Sequence, residues 1–170
     1  MRDLFDEIPA HITQTQRILS QFFSQLDEFE KEIVPKIGRT HQSVLIPAQI
    51  LDSAYTAIET LFLRISQAFG NQLNPKRWHA DLLEKMFLEI PRIRPRVISQ
   101  ETYIKLEEMM RFRHFKRYYL ELNYDWRKID YLINIFREAV PLLDEDLTSF
   151  LKKLEQSLGK PGNQDTPLGN

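Results

Sequence analysis

The chain has 170 residues, of which 42% are hydrophobic and 28% are charged, and this suits one domain with a sizeable buried core. It contains no cysteine, which excludes a disulfide framework and a thiolate metal site and is expected of a cytoplasmic protein. No segment approaches the roughly 20 apolar residues that a membrane-spanning helix requires. The formal net charge of −1 does not mark a nucleic-acid-binding protein, so such binding would depend on a local patch.

Composition also indicates the fold class. Glycine is scarce, at 5 residues, whereas Leu, Ile, Glu, Gln, Lys and Arg are plentiful, and no strand-like alternation stands out. We therefore predict an all-α protein in which residues 1–158 form a single domain, a four-helix up-and-down bundle with one additional short helix. Residues 159–170 are rich in Gly, Pro and polar side chains, and we expect them to be disordered.

Two long helices are predicted in the first half of the chain. The first, Pro9–Ile33, begins with a proline that suits a first turn, and Pro35 and Gly38 should end it. The second, Pro47–Phe69, carries a wide apolar stripe and should lie at the centre of the bundle. Its Glu59 could pair with an arginine of the third long helix or could lie in solvent; a buried carboxylate would need such a partner.

A short helix is predicted from Trp78 to about Glu89. In one interpretation, Trp78 anchors this helix by packing and His79 caps or orients it. In the other, His79 lies near the basic residues of the third long helix. The segment that follows, Arg92–Arg96, adds three arginines to the local charge but is predicted to be only a solvated loop.

The second half of the chain predicts two more long helices. Ser99 is a good N-cap for a helix that extends to about Asn123. Asp125 should then cap a last helix from Trp126 to about Leu158, whose apolar residues face inward.

Positive charge is concentrated before and along the third long helix. Residues 92–117 carry eight Lys or Arg against three Glu, a net charge of +5, so the rest of the chain carries −6. A basic band inside a nearly neutral protein is the pattern expected of a site for phosphate-bearing ligands. Its densest part is the stretch Met109–Leu120, which also holds a histidine and several aromatic residues.

Helical geometry predicts how the side chains of this stretch are arranged. Residues three, four and seven apart share a face, so Arg111, His114 and Tyr118 should align, and Arg113 should lie beside Arg117. The stretch could be an ordinary solvated basic face with its aromatic residues in the core. Alternatively, it could be an anion site in which arginines bind phosphate and His or Tyr exchanges protons.

The motifs of the commonest enzyme classes do not occur. The sequence has no Gly-rich phosphate loop, no H-E-x-x-H zinc motif and no Ser-centred nucleophile elbow. Its four histidines are dispersed, which argues against a dedicated metal site. We expect neither a metal nor a cofactor.

The run Arg111–Tyr119, with the sequence RFRHFKRYY, resembles the C-terminal half of HepT-like proteins of the HEPN superfamily. The segments Glu121–Trp126 and Ala54–Glu59 share this resemblance, as does Trp78-His79 followed by Leu82-Leu83, so that it covers about residues 45 to 155. It implies a small α-helical domain that forms a homodimer. Many HEPN proteins are metal-independent ribonucleases whose signature is Arg, four to six residues and then His. In HepT toxins, a partner nucleotidyltransferase transfers AMP to a Tyr two residues beyond that His.

The chain departs from this signature at its histidine. The signature arginine corresponds to Arg113, but the residue five positions later is Tyr118. A phenol, with a pKa near ~10, is a poorer general base at neutral pH than an imidazole, with a pKa near ~6.5. Because Leu120 stands two residues beyond Tyr118, the nearest possible AMP acceptors are Tyr118 and Tyr119.

The resemblance supports two hypotheses. In the first, the chain is the toxin of a toxin–antitoxin pair and cleaves RNA: Arg113 holds the scissile phosphate in an open groove between two subunits, and His114 or Tyr118 replaces the signature His. The RNA-binding residues would be Arg111, Lys116 and Arg117. In the second, the chain is a catalytically degenerate relative that serves as a binding or regulatory partner of a minimal nucleotidyltransferase.

Overall fold

The computed structural model describes residues 2–70, 73–91, 93–118 and 124–158, with the backbone alone for residues 2–4, 117–118 and 157–158. The helices are α1 (Arg2–Glu28), a π-helical segment (Phe29–Ile33), α2 (Val34–Ile37), α3 (Leu45–Ala68), α4 (Trp78–Phe87), α5 (Gln100–Tyr118) and α6 (Trp126–Leu158). The described residues contain no β-strand, only an isolated bridge between Ile90 and Arg94. The predicted all-α fold is confirmed. None of the described helices is long and apolar enough to cross a membrane.

Four long helices enclose one hydrophobic core. Helix α1 packs against α3, α3 against α5, α5 against α6, and α6 against α1, so helices that follow one another in the chain are neighbours in space. Each contributes fully buried side chains, for example Leu19, Ile58, Leu106 and Leu132. The short helix α4 packs against α3 and α5 and brings its first residues beside both.

Helix α1 begins earlier than predicted. The predicted start at Pro9 was wrong, because the helix begins at Arg2 and Pro9 lies inside it. An interior proline costs about 3 kcal/mol. Packing on the N-terminal side offsets this cost: Ile8 is fully buried, and the Phe5 ring meets the Phe69 ring edge-on, with centroids 4.8 Å apart. Burial of such a side chain stabilises the fold by about 1.5–3 kcal/mol.

The end of this first helical unit also lies later than predicted. Beyond Glu28 the chain continues through the π-helical segment into α2, which ends at Ile37. Gly38 follows with φ of 73°, a conformation that glycine adopts without strain. Gly38 therefore ends the unit as expected. Ile33 and Pro35 do not, because Pro35 lies in the first turn of α2, where a proline is tolerated.

The predicted solvated loop at Arg92–Arg96 was wrong for Arg94. This residue is 1% exposed, and its Nη2 donates a hydrogen bond of 2.5 Å to the carbonyl oxygen of Lys85. Burial away from water disfavours the charged guanidinium and lowers the pKa of Arg94 to about 10. The side chain joins the segment after α4 back to the end of that helix, a contact that no sequence periodicity indicates.

Side chains cap the two helices that follow. Ser99 Oγ accepts a hydrogen bond of 3.3 Å from the backbone N–H of Thr102, and Asp146 Oδ2 of α6 accepts one of 2.7 Å from the backbone N–H of Ser99. Asp125 Oδ1 accepts a hydrogen bond of 2.9 Å from the backbone N–H of Arg127. Both predicted caps are confirmed, and Asp146 fixes the start of α5 against α6.

Two positions of α5 test the packing directly. Leu106 is 0% exposed and Ile104 is 54% exposed. We expect Leu106→Ala to lower the free energy of unfolding by about 2–5 kcal/mol, because it removes buried apolar surface and leaves a cavity. Ile104→Ala should change it by no more than about 0.5 kcal/mol. Urea unfolding measures both, and equal losses would contradict the described orientation of α5.

Candidate functional site

The basic side chains of α5 do not form one continuous face. Arg113 and Lys116 contact acidic residues of α3, whereas Arg111 and His114 line a cavity beside α4. The predicted alignment of Arg111 and His114 is confirmed. The side chains of Arg117 and Tyr118, and the whole of Tyr119, lie outside the described residues.

Glu59 is the centre of a buried polar cluster. Its Oε2 accepts a hydrogen bond from Arg113 Nη1, and its Oε1 contacts Nδ1 of His79. The Glu59 side chain is 6% exposed and that of Arg113 is 7% exposed. Of the two interpretations of Glu59, pairing with an arginine of the third long helix is confirmed. The Glu59 carboxylate of α3 therefore contacts side chains of both α4 and α5.

The location of Arg113 differs from the open groove expected for it. Its Nε lies 3.7 Å from Oδ1 of Asp52, and its guanidinium lies 5.8 Å from the Tyr55 ring centroid. Burial, followed by the neighbouring Glu59 charge, raises the pKa of Tyr55 well above its usual range. The physical reason for the inward orientation of Arg113 is Glu59: a buried carboxylate without a cation would be very unfavourable.

Lys116 is also oriented toward α3. Its Nζ lies 2.8 Å from Oδ2 of Asp52 and 2.5 Å from Oε1 of Gln49. The acceptor Asp52 precedes Glu59 by two helical turns, so both carboxylates project from the same face of α3. These acidic residues offset much of the positive charge that the sequence places on α5.

A cavity of about 460 Å³ opens between α5 and the start of α4. It is lined by ten described residues: Pro75, Lys76, Arg77, Trp78, His79, Ala80, Met110, Arg111, Arg113 and His114. Four of the ten are Lys or Arg, two are His, and none is Asp or Glu. We call this space, with these ten residues, the basic cavity.

Trp78 and His79 form one wall of the basic cavity. Their rings stack, with centroids 3.6 Å apart and planes inclined by 30°. His79 is partly accessible, with 30% of its side chain exposed, and it shares the cavity with Arg111, Arg113 and His114. The interpretation that places His79 near the basic residues is confirmed. Trp78 also packs against the hydrophobic core, as an anchoring residue would.

Arg111 is the most accessible cation of α5 among those whose side chains are described. Its side chain is 63% exposed, its Nη2 lies 3.1 Å from Oε2 of Glu107, and its Nη1 donates a hydrogen bond of 3.4 Å to Oε1 of Glu108. Exposed ion pairs of this kind contribute about 0.2–1 kcal/mol. A phosphate at Arg111 would therefore compete with two weak exposed pairs, to Glu107 and Glu108, whereas at Arg113 it would compete with the buried Glu59.

Sequence reasoning missed two cavity residues, Lys76 and Arg77. They precede α4 directly, and Arg77 Nη2 lies 3.6 Å from Oε2 of Glu84 on that helix. Their position directly before Trp78 and His79 in the chain could have indicated that they lie beside the same cavity. As for metal binding, no group of three or more His, Asp or Glu able to hold an ion occurs among the residues that the structure describes.

Comparison with known protein families gives a match over much of the chain. A family model described as HepT-like protein matches residues 47–154, more than half of the chain. The match contains Glu59, His79 and Arg113, and it includes all of α4 and α5. No curated protein and no solved structure matches the chain.

The Glu59–Arg113 pair gives a stability prediction. We expect Glu59→Leu and Arg113→Leu each to lower the free energy of unfolding by about 3–5 kcal/mol, because each leaves one buried charge without its partner. The double variant should lose less than the sum of the two single variants, since it leaves neither charge.

Urea unfolding of the wild type and the three variants measures this coupling. The exposed Arg111 provides the control, and Arg111→Leu should cost no more than about 1 kcal/mol. Strictly additive losses would show that the two side chains do not interact in solution.

Proposed function

Since the chain belongs to the HepT-like protein family, as the match over residues 47–154 shows, we propose that it is the toxin of a toxin–antitoxin pair and cleaves RNA without a metal. The observation that carries this proposal is the charge of the basic cavity, whose described lining contains four Lys or Arg and no Asp or Glu. We further propose that the protein acts in the cytoplasm as a homodimer.

The cavity suits a phosphodiester linkage. Its cations attract the RNA backbone, and an accessible guanidinium such as that of Arg111 can bind two phosphate oxygens at once. Lys76 and Arg77 supply positive charge from the opposite wall. Its volume of about 460 Å³ lies within the range of small-ligand sites.

RNA carries its own nucleophile, so the protein needs to supply only charge stabilisation and proton transfer. The 2′-hydroxyl attacks the adjacent phosphorus, and the 5′-oxygen of the next nucleotide leaves. In this proposal Arg111 stabilises the charge that develops on the phosphate, assisted by Lys76 and Arg77. His114 protonates the leaving oxygen, and Tyr118 occupies the position of the signature histidine.

In this proposal Arg113 does not hold the scissile phosphate, although the sequence suggested that it would. Its guanidinium lines the basic cavity, but Glu59 holds its Nη1 in the core. Because Glu59 neutralises it, Arg113 adds little net charge to the phosphate site, and its role is to fix the orientation of Glu59. In this proposal Arg111 makes the direct contact with the phosphate. Arg111 is one of the residues that the sequence also indicated for RNA binding.

A second candidate function follows from the same two features. Glu59 neutralises Arg113, and Tyr118 stands where the family signature has histidine. Both are expected of a catalytically degenerate HEPN protein that serves as the binding or regulatory partner of a minimal nucleotidyltransferase. The basic cavity would then bind a nucleotide or the partner, and Tyr118 or Tyr119 would accept AMP.

RNA cleavage by the purified protein in EDTA tests the ribonuclease. We expect cleavage of single-stranded RNA to 2′,3′-cyclic phosphate ends and no cleavage of DNA of the same sequence, which lacks the 2′-hydroxyl. Arg111→Ala should reduce the rate roughly 10- to 150-fold, because it removes a charged hydrogen bond worth about 1.5–3 kcal/mol. Arg127→Ala is the matched control, since Arg127 also pairs with an acidic residue at 3.1 Å but does not line the cavity.

Absence of cleavage in EDTA would reject the ribonuclease and favour the second candidate. Its test is co-expression with a nucleotidyltransferase encoded beside this chain. Co-purification, with a mass increase of one AMP on Tyr118 or Tyr119, would support it. An unmodified protein that does not retain the transferase would reject it as well.

A further inference from the structure

His79 lines the basic cavity, and its Nδ1 contacts Oε1 of the buried Glu59. We infer that His79 is the general base of the reaction, held by Glu59, and that it takes the place of the histidine missing at Tyr118. This inference rests on the proposed ribonuclease activity. It differs from the family signature, in which the base lies on the same helix as Arg113, whereas His79 lies on α4.

The carboxylate of Glu59 determines which ring nitrogen can accept a proton. An ionised carboxylate can only accept hydrogen bonds, so Nδ1 of His79 must donate to Glu59 Oε1. The neutral imidazole then carries its proton on Nδ1 and an unshared electron pair on Nε2, at the opposite edge of the ring. A base with a fixed tautomer and a fixed orientation is what a carboxylate–histidine pair provides in enzymes.

Other contacts keep the pair in place. Arg113 holds the second carboxylate oxygen, so Glu59 cannot rotate away from His79 without losing its cation. Stacking on Trp78 restricts rotation of the imidazole. Glu59 is 6% exposed while His79 is 30% exposed, so the orienting group is buried and the reacting group is accessible. A reactive side chain is typically accessible and held in place by a buried residue, as His79 is by Glu59. A histidine that only caps a helix does not need such a buried partner.

Charged groups reach His79 from three elements. Glu59 faces it from α3, and Arg111, Arg113 and His114 share its cavity from α5. Lys76 and Arg77 lie on the segment that leads into α4. Of these groups only Glu59 carries negative charge, and it contacts Nδ1, which leaves the proton transfer to Nε2.

The reaction step balances with the residues present. His79 Nε2 takes the proton of the 2′-hydroxyl as the bond between the 2′-oxygen and phosphorus forms. The bond between phosphorus and the 5′-oxygen breaks, and the leaving oxygen takes a proton from His114. The products are a 2′,3′-cyclic phosphate and a 5′-hydroxyl end. His79 has gained one proton and His114 has lost one, and exchange with water restores both.

Two substrates separate a base from an acid. The first is an RNA dinucleotide, whose leaving alkoxide needs a proton. The second is a nucleoside 3′-(4-nitrophenyl phosphate), whose phenolate leaves without one. We expect His79→Ala to slow both substrates by roughly 100- to 10,000-fold, because the 2′-hydroxyl must lose its proton in each. His114→Ala should slow only the dinucleotide.

The pH profile and chemical rescue supply two further readouts. The wild-type rate should rise with pH as the base loses its proton, and His79→Ala should lack this rise. Added imidazole should restore activity to His79→Ala and should have no effect on His41→Ala. His41 is the matched control, because it lies exposed in a turn and does not line the cavity. His79→Gln serves as the second variant should the alanine variant fail to fold.

The outcomes are distinguishable. If the wild type cleaves neither substrate, the proposed function fails and this inference fails with it. If the wild type cleaves both but the His79 variants keep its rate within about threefold and its pH profile, only the inference is overturned. Loss of activity that imidazole does not restore, in a folded His79→Ala with the wild-type pH profile, would also overturn it.

Discussion

A single buried carboxylate, that of Glu59, links three helices of the structure. Glu59 lies in the middle of α3, where a charge without partners would be strongly destabilising. Its two oxygens contact Arg113 of α5 and His79 of α4, so a single charge joins the helices that surround the basic cavity. Arg113 is consequently a residue of the core, and His79 has one ring nitrogen fixed beside an accessible space.

This arrangement explains why the accessible positive charge of a nearly neutral protein is concentrated at one cavity of its described part. Asp52 and Glu59 hold Lys116 and Arg113, which removes those cations from the surface. Charge available to a ligand remains where the described lining includes no carboxylate, at the basic cavity between α5 and the start of α4. The positive charge of the sequence therefore suggests a wider basic surface than the structure has. The cavity keeps cations from two segments, the one that leads into α4 and α5.

The sequence predicted the fold well, because apolar periodicity and capping residues act locally. Helix α6 was placed at its observed bounds, and the caps Ser99 and Asp125 were correct. The predictions were wrong where contacts between residues that are separated in the sequence determine the local structure. Packing of Phe5 against Phe69 extends α1 beyond Pro9, and burial of Arg94 depends on carbonyl groups at the end of α4. Neither contact leaves a periodic pattern in the sequence.

The candidate site was predicted in part, for the same reason. Helical spacing brought Arg111 and His114 together correctly, but it could not show that Arg113 turns toward Glu59, 54 residues earlier in the chain.

The proposed role of His79 as general base is tested most directly by its tautomer. The tautomer is measured by ¹⁵N NMR during titration with an uncleavable 2′-deoxy dinucleotide. If His79 has this role, we expect a proton on Nδ1, an unprotonated Nε2, and a shift of the Nε2 signal as the dinucleotide binds. A proton on Nε2, or an Nε2 signal that the dinucleotide leaves unchanged, would contradict it.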